Sequence, residues 1–180
     1  GALFLEKYQE YFEKAVLSSP MMEINTGNYS ENMAYLISKF FIYVGKGNNY
    51  IFGQGPFNGE YNLEESATSN KYRYSRHLNA LRANEVLQRN GGSFKWINEA
   101  IKATRKLKKE ENIKKIQIPI LLFQSGKDTF VNDEGHNTFR KYAKNCKFVR
   151  FDNGKHELYF ENDDILEPYL KEIVKFYNEI

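Results

Sequence analysis

A single cysteine, Cys146, excludes an internal disulfide and any cysteine-based metal cluster, and it suits a reducing compartment. It reads as a small core hydrophobe at a helix end. No apolar run approaches the roughly 18 residues of a transmembrane helix. Charge of one sign is lacking as well. Lys and Arg number 26 against 23 Asp and Glu, interleaved along the chain for a net +3, which leaves no nucleic-acid footprint. Histidine is scarce, with three in all. His136 has Asp133 and Glu134 nearby, but adjacent residues on a helix do not share a face and no second histidine follows at i+4. A surface helix is expected there, not a metal site. Neither metal nor organic cofactor is expected.

What is present fits one globular unit: 180 residues, 41% apolar and 27% charged, are enough for a sizeable core. Leu3, Phe4, Tyr8, Tyr11 and Phe12 recur at helical spacing, and Ala15-Val16-Leu17 forms a short buried strand closed by Ser18-Ser19-Pro20. Ser30 caps a helix whose apolar face is Met33, Leu36, Ile37, Phe40, Phe41 and Val44, with Gly45 at its end. Residues 45–61 are rich in Gly and Asn and form a loop. Asn70 to Leu87 reads as a helix. Ser93 caps another that carries Phe94, Ile97, Ile101, Thr104 and Leu107 on one face, and the charged run Arg105 to Glu111 is its solvated end. The aromatic residues of this region, Phe40, Phe41, Tyr43, Tyr50, Phe52, Phe57 and Trp96, are expected first as core, with a few lining an apolar pocket.

From Ile118 a strand–helix–strand–helix rhythm sets in. Its helix over about Asp133 to Cys146 turns His136, Phe139, Tyr142 and Ala143 toward the core, its second strand is Lys147 to Phe151, and its last helix carries Ile165, Tyr169, Ile173, Val174, Phe176 and Tyr177. That alternation argues an α/β fold with a parallel sheet of about three strands and flanking helices. Residues 27–113 then form a helical insertion between two α/β pieces, 1–26 and 114–180.

Within that rhythm, Ile118 to Phe123 leads into the turn Gln124-Ser125-Gly126-Lys127-Asp128, and the next strand leads into Asn153-Gly154-Lys155-His156. One helix and one strand separate Asp128 from His156, which puts both at the carboxyl ends of neighbouring strands, where open α/β sheets keep their chemistry. Each alone is ordinary turn chemistry. Together, a carboxylate that fixes one imidazole nitrogen leaves the other to take a proton from a nucleophile. Glu157 and Glu161 lie close enough in sequence to shape the histidine loop. His77, beside Arg73 and Arg76, reads as a surface residue that could meet a phosphate head group.

The stretch Ile118 to Asp128, followed by Gly154-Lys155-His156-Glu157-Leu158-Tyr159-Phe160-Glu161, resembles the acid-turn and histidine-loop motifs of α/β-hydrolases, most closely the lysophospholipase and monoacylglycerol-lipase group. Phe52-Gly53-Gln54-Gly55-Pro56-Phe57 and Gly91-Gly92-Ser93-Phe94-Lys95-Trp96 resemble the cap of bacterial lysophospholipases of the L2 type. The resemblance implies Asp128 as triad acid, His156 as general base, 27–113 as a cap that selects the acyl chain, and a lipid ester as substrate. It also implies a serine on a Gly-x-Ser-x-Gly elbow, and no such pentapeptide occurs in the 180 residues.

Because the chain opens on Gly1-Ala2-Leu3-Phe4 within a helical pattern, it is expected to be the C-terminal part of a longer serine hydrolase and inactive alone. Its exposed edge strand would meet the missing half or a second copy. A cytoplasmic location is expected, with peripheral membrane contact left open. A dehalogenase or epoxide hydrolase with an Asp nucleophile, or a non-catalytic assembly module, are the alternatives.

Overall fold

The computed structural model describes residues 1–179. Helix α1 (Ala2–Tyr8) leads through a short 3-10 turn into strand β1 (Ala15–Ser18). Three helices follow, α2 (Glu31–Tyr43), α3 (Lys71–Ala83) and α4 (Phe94–Leu107), then the single turn α5 (Glu110–Ile113). Strand β2 (Ile120–Ser125), helix α6 (Asp133–Tyr142), strand β3 (Cys146–Phe151) and helix α7 (Asp163–Asn178) complete the order. The strands form one parallel sheet in the order β1-β2-β3, with Ala15 opposite Ile120 and Ile120 opposite Cys146. Chain order and sheet order coincide, so the two outer strands each have one neighbour among the described residues.

Strand β2 is buried along its whole length because both faces are covered. Side chains alternate across a strand. Ile120 and Leu122 therefore point to one face, among Ala2, Leu5, Leu17, Ile113, Ile116 and Phe139. Leu121 and Phe123 point to the other, among Leu158, Ile165, Tyr169 and Phe176. Each such side chain contributes on the order of 1.5–3 kcal/mol by leaving water.

Capping follows the sequence closely. Ser30, Asn70 and Ser93 accept from the backbone N–H groups of Met33, Arg73 and Trp96 at 3.3, 2.9 and 3.1 Å. Residue Gly45, just past α2, takes a φ of 79°, the left-handed conformation that ends a helix. The face of α4 is as expected, with Phe94, Ile97, Ile101, Thr104 and Leu107 all buried.

Several expectations need correction. Helix α2 packs on α4 through Ala34, Tyr35 and the buried Ser38, whose hydroxyl accepts from Asn98 at 2.9 Å. Met33, Leu36, Phe40 and Val44 are therefore exposed, and only Ile37 and Phe41 of the expected face are half-buried. Tyr43, Tyr50, Phe52 and Trp96 are exposed too, while Phe41 stacks on Phe94 at 4.0 Å with Phe52 edge-on to both. The helix expected to reach Leu87 stops at Ala83, where Asn84 turns the chain and caps a 3-10 turn. Arg105 and Lys108 do not end in solvent. Arg105 pairs with Glu31 at 2.7 Å, and Lys108 with Glu23 at 2.6 Å and Glu31 at 3.2 Å, tying α2 and α4 to the segment after β1. Cys146 opens β3 and is half-buried, and Val174 and Tyr177 are exposed on the outer side of α7.

Candidate active site

Strand β2 ends at Ser125, level with Phe151 at the end of β3, so the loops that follow leave the sheet side by side. The backbone N–H of Gly126 donates to Phe151 at 2.8 Å, and that of Lys127 to Gly154 at 2.9 Å. A Cβ on Gly126 would come within 2.5 Å of the carbonyl oxygen of Asp152, so only glycine lets the two loops approach this closely. Asp128 then turns back. Its Oδ1 accepts from the N–H groups of Phe130 and Val131 at 2.8 and 3.1 Å, which fixes the carboxylate against its own loop.

The other oxygen, Oδ2, accepts from Nδ1 of His156 at 2.7 Å. The Asp128 side chain is 2% exposed and that of His156 is 29% exposed, so the acid is sealed and the imidazole reaches the surface. Burial pushes the Asp128 carboxyl up, but the hydrogen bonds from His156 and from the Phe130 and Val131 backbone outweigh it and hold it below the ordinary aspartate value. An ionised Asp128 places the imidazole proton on Nδ1 and leaves Nε2 free as a base. The ring of Phe130 lies 5.1 Å from that of His156 and shields one side of it.

Three serines stand at the same sheet edge. Ser19, just past β1 with a φ of 41°, and Ser125, last in β2, are buried with their hydroxyls 2.6 Å apart. They bond to each other, and neither bonds to His156. The Ser18 hydroxyl is buried without a partner among the described residues. This Ser19–Ser125 contact joins residues far apart in sequence, and nothing in the local pattern of either announces it.

Two cavities share Gln54 and Thr129, the residue after Asp128, in their walls. One, of about 410 Å³, is lined by Ile37, Ile51, Phe52, Phe94 and Ile97 from the helical region. The other is an open groove of about 1370 Å³ with Tyr50, Trp96, Glu64, Arg89 and Phe130 among its walls.

The remaining candidates are placed elsewhere. His136 is buried, not on a helix surface. Its Nε2 donates to the carbonyl of Pro20 at 2.7 Å, and burial, against the pull of that carbonyl, lowers its pKa and keeps it neutral. Gly135 permits this, since a Cβ there would sit 2.7 Å from the Met22 and Glu23 backbone. His77 faces Phe160 edge-on at 5.9 Å, and Arg73 is taken up by the Glu161 carbonyl and by Asp163, so the two do not form an open anion site. Burial pushes the Cys146 thiol up to about 11, which leaves it protonated. Among the described residues no group of His, Cys, Asp or Glu is arranged to hold a metal ion, and no helix is long and apolar enough to cross a membrane.

Residues 1–163 match the family described as serine aminopeptidase, S33. A probable lysophospholipase L2 of Haemophilus influenzae is 30% identical over 178 residues, covering 97% of this chain and 55% of the relative. The chain thus spans about half the length of that relative. Among solved structures, a monoacylglycerol lipase of Paleococcus ferrophilus superposes with a TM-score of 0.69 at 16% identity, over 98% of this chain and 64% of the other. A soluble variant of monoglyceride lipase from Saccharomyces cerevisiae gives 0.67 at 16% identity, over 97% and 60%. A thermostable carboxyl esterase of Bacillus coagulans gives 0.64 at 16% identity, over 100% and 62%. These structures share the fold, a parallel sheet with flanking helices. The chain belongs to the serine aminopeptidase S33 family and has an α/β-hydrolase fold.

Proposed function

We propose that Asp128 and His156 are the acid and base of a Ser-His-Asp triad that cleaves carboxylic esters of lysophospholipids or monoacylglycerols. The observation that carries this reading is the 2.7 Å bond between a sealed carboxylate and Nδ1 of an imidazole whose other nitrogen is free. A relative named probable lysophospholipase L2 supports the lipid-ester class. In this reading the serine and the oxyanion-hole donors are supplied from elsewhere, since no Gly-x-Ser-x-Gly pentapeptide occurs among these 180 residues.

In that assembly the serine Oγ attacks the ester carbonyl while His156 Nε2 takes its proton. Asp128 stabilises the imidazolium and holds the ring. The same Nε2 then protonates the leaving glycerol oxygen, and a water activated by His156 releases the acyl-enzyme. Residues 27–113 act as the cap over the core pieces 1–26 and 114–180. The cavity of about 410 Å³ beside Thr129 takes part of the acyl chain along its apolar wall of Ile37, Ile51, Phe94 and Ile97. No cofactor enters any step. The free edge of β1 is where the remaining strands, or a second copy, would pair.

A fluorophosphonate probe tests the reading. The longer protein that carries the elbow should be labelled and should hydrolyse a monoacyl ester, and Asp128→Asn or His156→Ala should lower the rate by about 10⁴. The 180-residue chain alone should neither be labelled nor exceed background hydrolysis. Hydrolysis by the 180-residue chain, or an unaltered rate in the His156→Ala protein, would refute the assignment.

A further inference from the structure

The sheet fixes the loop of Asp128 directly, but it reaches His156 only through Gly154 and Leu158 on either side. The acid's loop is fixed by β2, β3 and its own backbone, whereas the residues on either side of His156 are bonded to the distant segment 63–69. Lys155 spends all three protons of its ammonium group there, on the carbonyls of Leu63, Glu64 and Ser66 at 2.9, 2.6 and 3.2 Å. On the other side, the N–H of Glu157 donates to the carbonyl of Ala67 at 2.9 Å. Thr68 adds a bond from its hydroxyl to the carbonyl of Phe160 at 2.7 Å.

Glu161 closes the arrangement. Its side chain is wholly buried, yet no cation pairs with it among the described residues. Oε1 accepts from the backbone N–H of Ser69 and of Lys155, both at 3.0 Å, and Oε2 from that of Asn162 at 3.3 Å. Three backbone donors from three segments converge on one carboxyl group: the insertion, the residue before His156, and the start of α7. A buried acid is costly, and an apolar side chain of the same size would fill the space at lower cost. What only the carboxylate supplies is an acceptor at both ends, Oε1 for the N–H groups of Ser69 and Lys155 and Oε2 for that of Asn162.

We infer that Glu161 and Lys155 are positioning residues that make the placement of His156 depend on segment 63–69 of the insertion. The inference rests on the triad reading above and extends it: the insertion covers the site and also sets the base within it. Neither residue touches substrate; each acts through the backbone next to His156.

The test uses the 180-residue chain labelled with ¹⁵N, and reads the imidazole N–H signals of its histidines, assigned by single substitution. In the parent chain His156 should show a protonated Nδ1 whose proton exchanges slowly, and Asp128→Asn should erase that signal. Glu161→Gln keeps the size and one acceptor oxygen but puts an NH2 group against a backbone N–H where the second oxygen now accepts. It should speed exchange of the His156 proton by at least about tenfold, as local opening of one loop does. The His136 signal, held by the Pro20 carbonyl, should stay unchanged and reports an intact fold. If Glu161→Gln loses the His136 signal as well, Lys155→Met decides, since it removes only the three bonds to segment 63–66.

An unchanged His156 signal in both variants would overturn the inference, and so would joint loss of both signals in both variants. In the longer protein, Glu161→Gln should lower kcat by about 100-fold with KM within about twofold. Absence of hydrolysis by the unsubstituted longer protein, with the His156 response intact, would sink the triad reading and leave the positioning of the loop standing.

Discussion

Strand β2 and helix α2 look alike as sequence: Ile120-Leu121-Leu122-Phe123 is as apolar as Leu36-Ile37 and Phe40-Phe41-Ile42. In the structure they differ completely. Every residue of β2 is buried, while Leu36 of α2 is 64% exposed and Phe40 59%. The reason is the number of partners. Layers on both faces of the sheet cover β2, so its alternation sends side chains into one core or the other. Helix α2 packs chiefly on α4, and the face it buries is set by small residues, Ala34 and Ser38, that let the two helices approach. Apolarity says that a residue can be buried, but the opposing element decides whether it is.

The contrast is broken most severely at β2. Leu122→Ala removes a fully buried side chain between β1 and β3 and should destabilise the chain by about 2–5 kcal/mol in urea unfolding, because the sheet cannot collapse around the void. A loss under about 1 kcal/mol would mean that this part of the sheet is already loosely packed.

How much was legible follows the same division. Strands, caps and the Asp128–His156 contact could be read because each depends on residues near in sequence: the apolar run before Asp128, Ser30 three residues before Met33, one helix and one strand between Asp128 and His156. The buried face of α2 could not, since its partner lies some sixty residues on. Nor could the bond from His136 to the Pro20 carbonyl, which depends on the loop after β1 approaching Gly135. The Ser19–Ser125 contact and the support of His156 by Leu63, Glu64, Ser66, Ala67 and Ser69 are long-range in the same way. Glu161 could be placed near the histidine loop by sequence, but its donor from Ser69 could not.

A middle-sized effect is expected where the two regions are tied. Lys108 bonds Glu23 after β1 and Glu31 at the start of α2, all three being about a quarter exposed or less. Lys108→Met should cost about 1–2 kcal/mol, between the values for exposed and for sealed ion pairs. The pH dependence follows from Glu31. Burial alone would raise its pKa, but hydrogen bonds from Arg105 and Lys108 outweigh that and hold it below the ordinary value of 4.5. The folded state therefore binds fewer protons than the unfolded one near that pH. The stabilisation is complete above 4.5 and is lost as pH falls through the depressed folded value. Unfolding curves between neutral pH and acid should show the parent losing more than Lys108→Met; equal losses would mean the pair adds nothing.

The smallest effect sharpens the comparison most, because it repeats the chemistry of the first. Leu36→Ala deletes the same atoms as Leu122→Ala, from a side chain whose outer surface already meets water. Alanine is also at least as good a helix former as leucine, so the backbone term does not oppose the change. The stability of the dilute chain should stay within about 0.5 kcal/mol of the parent. A cost approaching that at Leu122 would mean that α2 is covered in solution. Repeating the unfolding at tenfold higher protein concentration identifies the cover: a cost that grows with concentration assigns it to a second copy, since dimer stability follows mass action. A cost independent of concentration assigns it to this chain, and α2 would then pack more deeply than its contact with α4 allows.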